Sequence, residues 1–141
     1  MASIRNEFTI EAAPDFVWDA VRDIGALHTR LVPGFVVDTK LEGDPPTARL
    51  VTFGNGNVAR ELIVDLDDAQ RRLAWAIVGG PRLIFYSASF QVFAESKGRT
   101  RCVWSADLLP NEMAEPVKAM ILDSCATMKR TMEKAASGRP T

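Results

Sequence analysis

Alternating apolar and polar residues at the start of the chain predict a β-strand. From Ile4 to Glu11, the apolar side chains Phe8 and Ile10 alternate with polar ones. This two-residue period is typical of a strand with one buried face and one solvent-facing side. We therefore expect a strand as the first element.

The spacing of apolar residues then lengthens to that of a helix. Pro14 suits the first helical turn, and apolar residues recur at three- and four-residue steps until Gly25. A second short helical segment is expected over residues 26–30. Pro33 and Gly34 then break the chain before the next strand.

The pattern from residue 35 to residue 109 is that of strands separated by turns. Turn-forming sequences punctuate this part at intervals expected of hairpins in one antiparallel sheet. They lie at residues 43–46, 54–57, 67–70, 79–81 and 96–98. We therefore expect six consecutive strands after the two short helices.

The last predicted element is one long amphipathic helix. After the Pro110 turn, one stripe repeats at three- and four-residue steps. It contains Met113, Val117, Met120, Ile121, Ser124, Met128 and Met132. The helix should fray beyond Ala136, so we expect a single domain over 1–136 and a frayed tail over 137–141.

This order of elements predicts an α+β fold: a seven-stranded, curved antiparallel sheet wrapped around the long C-terminal helix, with two short helices after the first strand. Such a sheet leaves an internal cavity if the side chains that face the helix are not all bulky. No GxGxxG or Walker sequence is present, so a nucleotide-binding parallel sheet is disfavoured.

Composition excludes several classes of partner. The formal net charge is −1, which gives no electrostatic reason to bind nucleic acid. One histidine and two separated cysteines provide neither a metal site of usual spacing nor a disulfide framework, so we expect no metal and no cofactor. No apolar run reaches the roughly 20 residues of a membrane span. We expect a cytoplasmic protein of undetermined oligomeric state.

The predicted inner faces of the strands and helix supply candidate ligand-binding residues. Aromatic side chains with one polar atom suit a cavity that grips an apolar molecule and orients it by a few hydrogen bonds. The candidates are Trp75, Ile77, Tyr86, Ala88, Phe90 and Trp104 on the strands, and Val117, Met120, Ile121, Ser124 and Met128 on the helix. A plain packed core is the alternative interpretation.

Three segments carry a resemblance to a known superfamily. They are VPGFVVDT, ARLVTFGNGNVARELIVDLDDAQRRLAWAIVGG and FQVFAESKGRTRCVWSADLLP. With the order of elements, they resemble the START-like or SRPBCC superfamily, the helix-grip fold, and within it the polyketide cyclase/dehydrase-like branch. The superfamily hosts many activities, so the resemblance implies the fold more firmly than the function.

A finer similarity runs to plant abscisic-acid receptors and lachrymatory factor synthase. Arg49 precedes a glycine-containing loop, and Glu61 precedes the Leu66-Asp67-Asp68 turn. The resemblance implies Arg49, Glu61 and Tyr86 as the polar residues of the pocket. The loop after Arg49 is shorter than the receptors' gate loop and lacks its SGLP-type sequence, so hormone-style gating is not implied.

The alternation of the fourth strand conflicts with that implication. Leu62, Val64 and Leu66 form its apolar face, which predicts that Glu61 points outward. A β-bulge after the Asn-Gly turn would reverse this expectation. Arg49 shares its face with Val51, so it either lines the pocket or lies on a solvated face of the sheet.

Three functions remain open from the sequence. The first is binding of a small, mostly apolar ligand such as a lipid or polyketide. The second is a cofactor-independent cyclase or dehydrase in which Glu61 and Arg49 are the catalytic residues that transfer a proton. The third is a protein-binding module, which an exposed apolar patch on the outer sheet face would favour.

Overall fold

Seven β-strands and two α-helices form the fold in this computed structural model, which describes residues 1–138. The strands are β1 (Ala2–Ile10), β2 (Val36–Glu42), β3 (Ala48–Phe53), β4 (Val58–Asp67), β5 (Arg72–Val78), β6 (Phe85–Ser96) and β7 (Arg99–Leu109). The helices are α1 (Pro14–Arg22) and α2 (Ala114–Ser137). A π-helical turn (Leu27–Leu31) and a 3-10 turn (Asn111–Met113) complete the set.

The strands form one antiparallel sheet in the order β1-β7-β6-β5-β4-β3-β2. Strands β2 to β7 pair with their sequence neighbours, as hairpins require, and β1 pairs with β7 at the far edge. The curved sheet and the long C-terminal helix confirm the predicted helix-grip fold. The two short helical segments after β1 also lie where the sequence predicts them.

The core lies between the inner face of the sheet and α2. Alternate residues of β6 and β7 are buried, as their two-residue period predicts, and α2 contributes a buried stripe. Tyr86, Leu108 and Ile121 are among its most enclosed side chains. Both cysteines are buried and unpaired, and burial raises the pKa of the Cys102 thiol to about 12 and that of Cys125 to about 11.

A β-bulge in β4 corrects the predicted direction of Glu61. Ile63 pairs with Trp75, but the next paired residue is Asp65, so Val64 is the extra residue and its side chain is 63% exposed. Alternation before the bulge therefore turns Glu61 inward, and Leu66 faces inward after it. The expectation that Glu61 points outward is wrong, because it assumed unbroken alternation through Val64.

The C-terminal end of α2 differs slightly from the prediction. Ser137 is still helical, and Gly138 ends the helix in the left-handed conformation with φ of 70°. The rest of the predicted frayed tail, residues 139–141, lies outside the described residues. Among residues 1–138, no helix is long and apolar enough to cross a membrane.

Neighbouring residues of α2 provide a test of the core. Ile121 is fully buried, whereas Leu122 is 47% exposed. We expect Ile121→Ala to lower the free energy of unfolding by about 2–5 kcal/mol, because it leaves a cavity in the core. Leu122→Ala should change it by about 0.5 kcal/mol or less. Urea denaturation of both variants measures this difference, and equal losses would contradict the placement of α2.

Candidate ligand-binding cavity

A cavity of about 1140 Å³ lies between the inner face of the sheet and α2. The π-helical turn and the loop that follows it close one side. The loops at residues 54–57 and 79–83 also line the cavity, and most of their residues are exposed, so the cavity opens to solvent there. Its volume is slightly above the roughly 300–1,000 Å³ usual for pockets that hold small molecules.

Aromatic rings form much of the inner wall. The rings of Trp75 and Trp104 meet edge to face with centroids 5.5 Å apart, and Phe90 packs against Trp104 at 6.1 Å. Side chains alternate between the two faces of the sheet along β5, β6 and β7, and this alternation places these three side chains on the inner face. This wall is fixed by ring packing and is suited to contact with an apolar molecule.

A buried ion pair lies on the same inner face. Arg49 of β3 and Glu61 of β4 are directly opposite each other in the antiparallel ladder, so their side chains emerge side by side. The Arg49 Nε donates to Glu61 Oε1 at 2.8 Å, and the two side chains are only 4% and 9% exposed. Arg49 also donates from Nη1 to the Ile24 carbonyl at 3.3 Å and lies 5.8 Å from the Trp75 ring centroid.

Each partner of this ion pair presents one polar atom to the cavity. Among the described residues, no protein group hydrogen-bonds to Glu61 Oε2 or to Arg49 Nη2. Within residues 1–138, every fully enclosed side-chain nitrogen or oxygen has a hydrogen-bond partner, so these two unpartnered atoms are not fully enclosed. Since both residues line the cavity, these two atoms are accessible from it. The pair thus offers one acceptor and one donor to a bound molecule.

Tyr86 supplies a further donor near this wall. The Trp104 indole Nε1 donates to Tyr86 Oη at 3.2 Å, which fixes the orientation of the phenol. Burial raises the pKa of Tyr86 above its ordinary value, so the hydroxyl stays protonated at neutral pH. Its O–H can donate to an acceptor within the cavity.

The remaining charges on the cavity wall lie at its exposed parts. Arg60, Arg82 and Asp123 all line the cavity and are all exposed to solvent. Within residues 1–138, the buried charged side chains are Arg49 and Glu61. Their opposite charges cancel, so the interior of the cavity carries no net formal charge.

Most of the candidate residues from the sequence meet at this cavity. Arg49, Glu61, Trp75, Ile77, Tyr86, Phe90, Trp104, Val117, Met120, Ser124 and Met128 line it. Ala88 and Ile121 do not. The short Ala88 side chain lies between its cross-strand neighbours Trp75 and Ala106, and Ile121 is fully enclosed in the core.

The side of the cavity formed by the π-helical turn and the loops was not predicted from the sequence. The missed apolar residues include Leu27, Leu31, Phe35, Phe53, Leu83 and Met113. Leu27 and Leu31 are four residues apart, so the helical spacing of the short segment was a usable signal. The loop residues carry no period that shows which way they face.

The described part of the chain contains no group of three or more His, Cys, Asp or Glu side chains that could hold a metal ion. The polar side chains on the buried wall of the cavity belong to Arg49, Glu61, Tyr86 and Ser124. The Ser124 hydroxyl donates to the Met120 carbonyl at 2.8 Å, so its proton is used within the helix. These side chains can take part in hydrogen bonding and proton transfer.

Fold and cavity together define a START-like, helix-grip protein. A family model described as polyketide cyclase/dehydrase and lipid transport matches residues 1–137. The chain belongs to this family. The search of curated proteins gave no match.

Solved structures share the fold at low sequence identity. An uncharacterised protein of Bacillus thuringiensis superposes with a TM-score of 0.82 at 17% identity, covering 93% of this chain and 98% of the other. The Zhui aromatase/cyclase of a Streptomyces species gives 0.76 at 18%, covering 96% and 93%. Norcoclaurine synthase of Thalictrum flavum, in complex with dopamine and hydroxybenzaldehyde, gives 0.73 at 20%, covering 99% and 88%.

The burial of the Arg49–Glu61 pair predicts a large penalty for breaking it. Arg49→Met leaves the Glu61 carboxylate without its partner and should lower the free energy of unfolding by about 3–5 kcal/mol. The double variant Arg49→Met/Glu61→Leu should recover most of this loss, because no unpaired charge remains. Urea denaturation of Arg49→Met, Glu61→Leu and the double variant measures the interaction free energy between the two side chains.

The exposed pair Arg60–Glu42 is a matched control. It has the same 2.8 Å nitrogen–oxygen distance, but its side chains are 55% and 37% exposed. Arg60→Met should therefore cost less than about 1 kcal/mol. An equal cost for Arg49→Met and Arg60→Met would show that burial adds nothing to the inner pair.

Proposed function

We propose that this protein binds a small, mostly apolar molecule in the cavity between the sheet and α2. The observation that carries the proposal is the cavity of about 1140 Å³, whose buried wall is apolar and aromatic apart from a few polar groups around one ion pair. Lipid transport in the family description supports a ligand of this kind.

A plain packed core does not account for this cavity. Protein interiors pack as densely as organic crystals and contain few voids larger than one water molecule. A ligand that fills the cavity removes its own apolar surface and that of the wall from water, which stabilises the complex by roughly 25 cal/mol per Å². Affinity is expected to come mainly from this burial, and orientation from the few polar atoms.

Binding can be measured with N-phenyl-1-naphthylamine, an uncharged probe that fluoresces strongly in apolar surroundings. We expect a saturable increase in its fluorescence at one probe per chain. Met120→Trp adds a bulky ring to the cavity wall and should weaken binding at least about tenfold, or 1.4 kcal/mol. Leu122→Trp, an exposed position on the same helix, should bind as the wild type does.

The proposal fails if the probe does not bind, or if it binds equally well to the two tryptophan variants. Circular dichroism of each variant establishes that the fold is retained before the affinities are compared.

Proton transfer is a second candidate function. The observation that favours it is that Glu61 Oε2 is accessible from a cavity that Tyr86 also lines. A carboxylate in this position can remove a proton from carbon next to a ketone, and Arg49 Nη2 or the Tyr86 O–H can stabilise the enolate oxygen. The cyclase/dehydrase part of the family description supports this chemistry.

Hydrogen–deuterium exchange of benzylacetone, a simple methyl ketone with an apolar phenyl group, tests this candidate. Proton NMR in deuterated buffer follows loss of the signals next to the carbonyl. If Glu61 acts as the base, the wild type should exceed the buffer rate and Glu61→Gln should be slower by about a hundredfold or more. The control is Glu7→Gln, an exposed carboxylate paired with Arg101 outside the cavity, and it should retain the full rate.

Exchange at the buffer rate with wild-type protein would exclude base catalysis on this ketone. An undiminished rate in Glu61→Gln would exclude Glu61 as the base.

A further inference from the structure

Because the charges of Arg49 and Glu61 neutralise each other, the ion pair affects which ligands the cavity can bind. Resting on the binding function proposed above, we propose that the cavity selects molecules whose polar end is uncharged and carries both a hydrogen-bond donor and an acceptor. Carboxylate-bearing molecules of the same shape bind more weakly. Amides, and hydroxyketones or their enols, are the matching chemical classes.

The charges of the inner ion pair balance each other. Arg49 and Glu61 neutralise each other at 2.8 Å, and the other charged groups on the wall, Arg60, Arg82 and Asp123, are exposed. A carboxylate brought to the pair would lose its hydration without gaining a free positive partner. It would bind well only by displacing Glu61 from Arg49, which would leave Glu61 buried and unpaired.

The two accessible atoms of the ion pair differ in their hydrogen-bonding roles. Glu61 Oε2 can only accept a hydrogen bond, while Arg49 Nη2 can only donate one. An uncharged group with an N–H or O–H next to a carbonyl can satisfy both atoms at once. Hydrogen bonds to charged groups are the stronger kind, so this match discriminates between ligands that share one apolar body.

Tyr86 strengthens the preference for a carbonyl. Its hydroxyl oxygen already accepts from Trp104, which leaves its O–H to donate. The deep wall therefore presents two donors and one carboxylate acceptor. Ser124 adds no competing donor, because its hydroxyl donates to the Met120 carbonyl.

Three naphthalene derivatives of nearly equal shape test the proposal. They are 2-naphthamide, which is neutral with donor and acceptor; 2-acetonaphthone, which is neutral with an acceptor only; and 2-naphthoate, which is anionic at neutral pH. Displacement of N-phenyl-1-naphthylamine gives the affinity of each. We expect 2-naphthamide to bind about tenfold or more tightly than 2-naphthoate, with 2-acetonaphthone between them.

The variant Glu61→Gln tests whether the Glu61 charge weakens the binding of carboxylates. It removes the negative charge with little change of shape and leaves Arg49 without a counterion. In this variant 2-naphthoate should bind at least about tenfold more tightly than it does to the wild type. Glu7→Gln, at an exposed ion pair with Arg101 outside the cavity, should leave all three affinities unchanged.

The possible outcomes separate this proposal from the binding function. Failure of the wild type to bind N-phenyl-1-naphthylamine would overturn both. Probe binding together with equal or tighter binding of 2-naphthoate than of 2-naphthamide would overturn the selectivity and leave the binding function standing. This wild-type comparison decides the matter even if Glu61→Gln does not fold.

Discussion

The register between β3 and β4 is the constraint on which the polar part of the cavity depends. In that register Arg49 and Glu61 are direct cross-strand neighbours, and the bulge at Val64 lets β4 turn Glu61 inward while Leu66 still packs inside. Without the bulge, Glu61 and Leu66 would lie on opposite faces of the sheet, so only one of them could face inward. The bulge resolves this conflict by placing Val64 outside.

A buried ion pair is an expensive feature for a domain that could be stabilised by apolar packing alone. The desolvation cost of two charges is offset here by a 2.8 Å contact, a bond to the Ile24 carbonyl and the face of Trp75. One polar atom of each partner still opens onto the cavity. The arrangement is therefore poorly explained by stability, and it fits the contact with a ligand that we propose.

The fold was predictable because it is encoded by short-range periods. Turn sequences between strands and the stripe from Val117 to Met132 locate the elements without any knowledge of tertiary contacts. The direction of Glu61 was not predictable in this way, because an exposed Val64 at a bulge has the same apolar character as a buried one. Resemblance to known proteins implied the inward direction that periodicity missed. The cavity itself depends on how all its walls pack together, which no local pattern contains.

Intermolecular nuclear Overhauser effects in the complex with N-phenyl-1-naphthylamine show directly where the bound molecule lies. The proposed position of the ligand is between the aromatic wall of the sheet and α2. It predicts contacts from the probe to the indoles of Trp75 and Trp104 and to the methyl group of Met120. Contacts confined to exposed side chains outside the cavity, such as Leu122 or Val64, would contradict it.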